Sequence, residues 1–345
     1  MKFLIVVYAL TLVGSCATKR YSDRIQDLKD NIQFEDIDTI AKYANTINEA
    51  NLKNHVYTLS SNDFEGRQVG RPGHDKVVNY LKSYYQKENI SSPVTKGTYL
   101  QTIPRDYFTE DVGSSSNVIA FLEGSEIKNE VLILTAHSDH LGLSGDSLYP
   151  GADDNASGTS ALLEIARAFE AAAKNGYIPK RSIAFMHLTG EEIGLYGSRY
   201  FIENPLFPLD NIIADLNIDM IGRIDNLHKH ASDYIYIIGA DRLSKELHFI
   251  SEKANSLFTK LDLDYKYNDE KDPNGYYYRS DHYNFARYNI PVIFYFNGEH
   301  DDYHKVTDTP DKINYALLTK RSKLIFSTAW YLANTDHRPS LDKLP

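Results

Sequence analysis

The sequence predicts an α/β fold, a mostly parallel sheet wrapped by helices, and two observations carry the prediction. From Asn117 onward, short apolar runs alternate with stretches of helical period. That alternation builds parallel sheets, because a parallel crossover needs a connection about as long as a helix. In addition, residues able to bind metals or move protons fall just beyond the ends of the apolar runs, where open α/β sheets gather their sites.

The first element is an export signal: Met1 and Lys2, the apolar run FLIVVYALTLV, then Gly14, Ser15 and Cys16. The run is shorter than the roughly 20 residues a membrane-spanning helix needs. Cys16, the chain's one cysteine, follows Val13-Gly14-Ser15 and resembles the lipobox of bacterial lipoproteins. Residues 1–16 are therefore expected to direct export and lipid anchoring in a bacterial cell envelope, with that anchor the sole membrane contact. The alternative is a plain secretory signal with an incidental cysteine.

Residues 17–100 read as a helical extension and lead-in. Ile25, Leu28, Ile32, Ile37, Ile40, Ala44 and Ile47 have the spacing of short covering helices. Gly66, Gly70 and Gly73 then mark a turn before a helix whose face carries Val77, Val78, Leu81 and Tyr85. Those glycines could cradle an anion, although a turn entering a helix is the commoner reason for them. Residues 101–345 form the expected catalytic domain. Its strands are NVIAFLE, VLILTAH, SIAFMHLT, IIADLNID, YIYIIGA and PVIFYF, and its helices run over Ser157–Ala173, Leu195–Glu203, Leu243–Leu257 and Tyr315 to about Asn334. The interval from Tyr99 to Val131 leaves no room for an inserted domain, and there is no internal repeat. A net charge of −10 without runs of like charge argues against nucleic acid as a partner.

Five strand-end positions hold ligand-type residues: His137 with Ser138 and Asp139, the pair Asp153/Asp154, the pair Glu191/Glu192, Asp219, and His304. Singly, each has a structural explanation, such as a helix cap for Asp153 or Asp154 and first-turn charges for Glu191 and Glu192. Together they make the His and carboxylate mixture that zinc or a similar divalent metal selects. Two histidines and three carboxylates exceed the three protein ligands of one catalytic zinc. They suit two ions sharing one carboxylate, with a water or hydroxide between the ions. One of Glu191 and Glu192 can then take the water's proton while its neighbour coordinates. Asp139, two residues beyond His137 on an extended segment, can orient the imidazole.

In order along the chain, AHSDHLG, PGADDNASG, LTGEEIGLYGSRYF, LNIDMIG, RSDHYNFA and YHKVTDTPD resemble the motifs of the di-zinc aminopeptidase family that includes bacterial leucyl aminopeptidase, aminopeptidase Y and glutamate carboxypeptidase. The segment FEGRQVGRPG resembles that family's lead-in. The resemblance implies a doubly wound, mostly parallel mixed sheet with helices on both faces, of the zinc-dependent exopeptidase type. It implies two zinc ions, one served by His137 and Asp219 and the other by Glu192 and His304, with Asp154 bridging. Glu191 would be the general base, and Tyr277 in GYYYRSDH would steady the oxyanion. Manganese or cobalt would be accepted by the same ligands. His140 and His187 match no ligand position and are read as structural. The implied activity is removal of N-terminal residues from peptide substrates, with loops Asn226–Ser232 and Asp264–Tyr278 shaping side-chain preference.

Rival readings lack their residues. There is no GxSxG elbow, no HExxH helix, no paired CxxC and no GxGxxG loop. A glutaminyl cyclase on this fold would need one metal only, and a non-catalytic binding lipoprotein would have no use for Glu191. Carboxypeptidase and dipeptidase action use the same metal centre and remain alternatives at this level.

Overall fold

The computed structural model describes residues 20–342, so the export signal and Cys16 lie outside the described residues. The chain divides into two compact units, Met1–Gln33 and Phe34–Pro345. The first contains α1 (Tyr21–Asn31), with Asp23 in its first turn and Lys29 in its last, each placed to complement the helix dipole.

The second unit opens with α2 (Ile37–Ala44), α3 (Glu49–Leu59) and α4 (Pro72–Glu88). The Asn48 side chain caps α3 by accepting from the Asn51 N–H. Pro72 begins α4, whose missing N–H is harmless there, and Val77, Val78, Leu81 and Tyr85 form its buried face. The strands and later helices follow as β1 (Leu100–Ile103), β2 (Ser115–Leu122), β3 (Ile127–His137), β4 (Gly142–Ser144), β5 (Ser147–Tyr149), α5 (Gly158–Lys174), β6 (Arg181–Leu188), α6 (Tyr196–Glu203), β7 (Ile212–Ile218), β8 (Tyr234–Ile238), α7 (Ala240–Leu243), α8 (Lys245–Phe258), β9 (Asp262–Asp264), α9 (His282–Ala286), β10 (Val292–Phe296) and α10 (Tyr315–Asn334). All six strands read from the sequence are present. The additional β1, β4, β5 and β9 are three or four residues long, too short for a period to show.

Eight strands form one mixed sheet in the order β1-β2-β6-β3-β7-β10-β8-β9. Its centre, β6-β3-β7-β10, is parallel, while β2 and β8 run antiparallel to their central neighbours. The central strands are covered on both faces, which is why they read as continuous apolar runs. Successive side chains alternate between the faces. Ala184 and Met186 pack in the layer containing Phe201 of α6 and Phe285 of α9. Phe185 packs on the other face against Phe169 of α5, which in turn meets Phe326 of α10. His187, within β6, bonds Tyr85 Oη at 2.7 Å, and burial pushes it down to about 3, so it serves the core as the sequence reading held. Because the four central strands are parallel, their carboxyl ends open along one edge.

Candidate metal centre

Each ligand-type residue reaches that edge by a different route. His137 ends β3, Asp219 follows β7, Glu191 and Glu192 sit in the turn after β6, and His304 lies in the loop after β10. The turn before α5 supplies Asp153 and Asp154, and the Asp154–Asn155 peptide is cis. The two aspartates then part. Asp153 faces away from the other ligands, accepting from the Gly222 N–H at 2.7 Å and meeting His300 Nε2 at 3.1 Å. Asp154 turns into the cluster, where its oxygens face different histidines: Oδ1 is 3.2 Å from His137 Nε2 and Oδ2 is 3.0 Å from His304 Nε2. His137 Nε2 is also 3.2 Å from Asp219 Oδ1, and His304 Nε2 is 3.1 Å from Glu192 Oε2. Five residues thus form two half-sites joined through one carboxylate.

Their electrostatics call for cations. Burial opposes a charge on His137, yet Asp219, Glu191 and Asp154 overcome it and hold the imidazole well above its usual range. His304 is raised to about 10 by Asp154 and Glu192 against the same penalty. Burial acts upward on Asp154, but the two histidines hold it well below the carboxylate range. A divalent ion can take the place of these protons, since metal and proton compete for the same lone pairs. The spacing fits as well. Two ligand atoms about 2.0–2.1 Å from one tetrahedral zinc lie roughly 3.3 Å apart, close to the separations within each half-site. Ligand atoms of His137, Asp154 and Glu192 fall within 4.8 Å of one another. The donor set therefore fits zinc, and the residues that would hold it are these five.

Glu191 lines the open cleft of about 330 Å³ that contains Asp154 and Asp219. Burial pushes its carboxyl well above the usual range, and Asp219, Glu192 and Asp281 add to the shift against the pull of His137. Its backbone N–H donates to Asp139 Oδ1 at 3.3 Å. Asp139 was expected to orient His137 with its carboxylate. The nearer contact is instead its backbone carbonyl, 3.3 Å from His137 Nδ1, with Oδ1 at 3.9 Å, because the carboxylate reaches toward the Glu191 turn.

Tyr277 departs from its expected position. It packs against the Arg242 guanidinium, 3.9 Å from the ring centre, and against Gly239. Its neighbour Tyr276 lines the cleft with Met220, Phe294 and Phe296. The three tyrosines occupy a 3-10 turn, in which consecutive side chains diverge by about 120°, so an error of one residue moves the ring out of the site. Tyr303 also lines the cleft, with its ring stacked 3.9 Å from that of His304.

The sequence reading missed several supports. Arg67 is buried, and its guanidinium donates to the carbonyls of Leu59, Ser138, Pro150, Gly151 and Asp154 at 2.5–3.2 Å. It lies in the turn of the lead-in segment, where a charged side chain reads by default as solvent-exposed. Asp308 accepts from the N–H groups of Asp153 and Asp154. His140, read as structural, lies 2.5 Å from Glu192 Oε1 through Nδ1.

Fold and donor set define the class, an α/β protein with a His and carboxylate centre for divalent metal at its strand ends. The chain belongs to peptidase family M28, whose model matches residues 117–329. It is 30% identical over 204 residues to a probable zinc metalloprotease of Pyrenophora teres, covering 58% of this chain and 39% of that protein. It is 26% identical over 267 residues to a probable aminopeptidase of Saccharomyces cerevisiae, covering 72% of this chain and 68% of the relative. The LapA aminopeptidase of Legionella pneumophila shares the fold with a TM-score of 0.69 at 22% identity, over 88% of this chain and 76% of that one. The chain spans less than two thirds of the length of the fungal zinc metalloproteases it matches.

Proposed function

We propose that this protein is a zinc-dependent aminopeptidase that holds two metal ions, one between His137 and Asp219 and one between Glu192 and His304, with Asp154 shared. The observation that carries the reading is the division of the Asp154 carboxylate, one oxygen toward each histidine. A glutaminyl cyclase would need one half-site only. When bound, the ions supply an acidified water and positive charge at the substrate carbonyl. Glu191 then takes the proton of the attacking water and passes it to the leaving nitrogen, a role favoured by a proton affinity that burial, first, and the neighbouring carboxylates raise. Tyr303, whose hydroxyl is under the field of Asp154, Glu192 and Glu191, takes the oxyanion-steadying role expected of Tyr277.

The cleft supports removal of N-terminal residues. Met220, Tyr276, Phe294 and Phe296 offer an apolar wall, and Asp219 offers a carboxylate beside which a free amine can sit. The names of the yeast relative and of LapA agree with this reading. Among the described residues no helix is long and apolar enough to cross a membrane, and the lipobox resemblance supports attachment through Cys16 in a bacterial envelope, checked by the mass of the mature N-terminus.

The test is hydrolysis of aminoacyl, N-blocked and C-terminally free peptides by the metal-loaded protein, with Glu191→Gln alongside. The expected result is cleavage of free-amine substrates with apolar first residues and loss of roughly 100-fold or more in kcat for the variant. Turnover of N-blocked peptides alone would exclude aminopeptidase action.

A further inference from the structure

His140 belongs to the metal centre although it matches no ligand position. Its side chain is fully buried, and Nδ1 lies 2.5 Å from Glu192 Oε1. A carboxylate that serves as a metal ligand is ionised. An ionised carboxylate only accepts, so Nδ1 carries the hydrogen of this contact and donates it. Among the described residues the far nitrogen, Nε2, has no hydrogen-bond partner, as suits the bare lone pair of the Nδ1–H tautomer. The other Glu192 oxygen, Oε2, faces His304 at 3.1 Å, so the carboxylate is divided between a donor and a half-site.

The surroundings hold the ring in that place. The His140 N–H donates to the Arg67 carbonyl at 3.1 Å. Gly151 packs against the ring with φ of +55°, and a Cβ at that position would lie 2.4 Å from His140 Cδ2. Nδ1 is 3.8 Å from Asp154 Oδ2, beyond hydrogen-bond reach, so its short contact is to Glu192.

We propose that His140 is a positioning residue that occupies Glu192 Oε1 and thereby limits Glu192 to a single ligand oxygen, Oε2, in the half-site shared with His304. This rests on the two-ion reading. A one-oxygen ligand keeps the coordination number low and leaves room for the substrate amine, whereas a released carboxylate would close over the ion with both oxygens.

The experiment compares wild type, His140→Leu and His140→Asn, each freed of metal and titrated with Co²⁺ while calorimetry and visible absorption are recorded. Leucine keeps an apolar side chain of similar size without a donor, and the asparagine Nδ2 can occupy the place of histidine Nδ1. Retained folding of each variant is checked by circular dichroism. The expected result is two ions in wild type, one of them bound roughly 10- to 100-fold more weakly by His140→Leu, with a fainter band as the coordination number rises. His140→Asn restores both affinity and band. Wild-type affinities and spectrum in His140→Leu would overturn the proposal alone. Loss of one ion from both variants would also overturn it, by making His140 itself a ligand. Fewer than two ions in wild type would overturn the two-ion reading and the proposal with it.

Discussion

Arg67→Met should destabilise the protein far more than a typical turn substitution. The guanidinium bonds carbonyls from three places: the end of α3 (Leu59), the residue after β3 (Ser138) and the turn carrying Asp154 (Pro150, Gly151 and Asp154). Burial lowers Arg67 to about 10, and nearby carboxylates led by Asp154 and Asp308 limit the fall, so the group remains charged near neutral pH. Hydrogen bonds from a charged donor contribute roughly 1.5–3 kcal/mol each, while burying the charge costs several kcal/mol. Removing the charged partner of such a buried network costs about 3–5 kcal/mol net, a large share of the roughly 5–15 kcal/mol that stabilises a domain. Urea unfolding of both proteins, each with chelator so that metal affinity does not enter, measures the difference. Arg67→Lys should recover little of it, because three donors on a flexible stem cannot serve carbonyls so widely placed. A loss below about 1 kcal/mol for Arg67→Met would refute the reasoning, since the carbonyls would then have found other partners.

Two further outcomes follow from groups farther from the ligands. Burial pushes the Glu164 carboxyl up, but bonds from His55, Arg167 and Asn51 outweigh it and bring the group from its ordinary 4.5 to about 2. The folded value is depressed, so this contribution, about 3 kcal/mol at 1.36 kcal/mol per unit, is complete above pH 4.5 and is lost as the pH falls toward 2. Stability curves for wild type and Glu164→Gln should converge across that window, and curves that stay parallel would contradict the assignment. Arg223 clasps the loop bearing His304, bonding Asp302 at 2.7 Å and lying 3.7 Å from Asp308. Arg223→Ala should weaken one of two zinc-binding steps by roughly tenfold in calorimetry, and equal weakening of both would remove the clasp from the account.

The sheet was legible because its central strands are apolar on both faces, so VLILTA and SIAFM stand out without any partner in view. The strand-end rule singled out His137, the pairs Asp153/Asp154 and Glu191/Glu192, Asp219 and His304, the family resemblance chose Asp154 and Glu192 within the pairs, and these five meet at one edge from distant parts of the chain. Legibility failed where contacts alone decide. The local pattern does not separate Asp153 from Asp154, so the choice of Asp154 needed the resemblance, and the turn before α5 sends Asp153 to Gly222 and His300 and Asp154 into the cluster. Tyr276 and Tyr277 differ by one step of a tight turn. His140 and Arg67 looked ordinary because nothing in the local sequence shows that a loop histidine meets Glu192 or that a turn arginine is buried under five carbonyls.

The central claim is that one carboxylate joins two metal sites. Its most direct test is crystallographic diffraction from zinc-loaded protein at wavelengths on either side of the zinc absorption edge. The account predicts two anomalous peaks about 3.5–4 Å apart, one on each side of the Asp154 carboxylate. A single peak, or two that do not share Asp154, would contradict it.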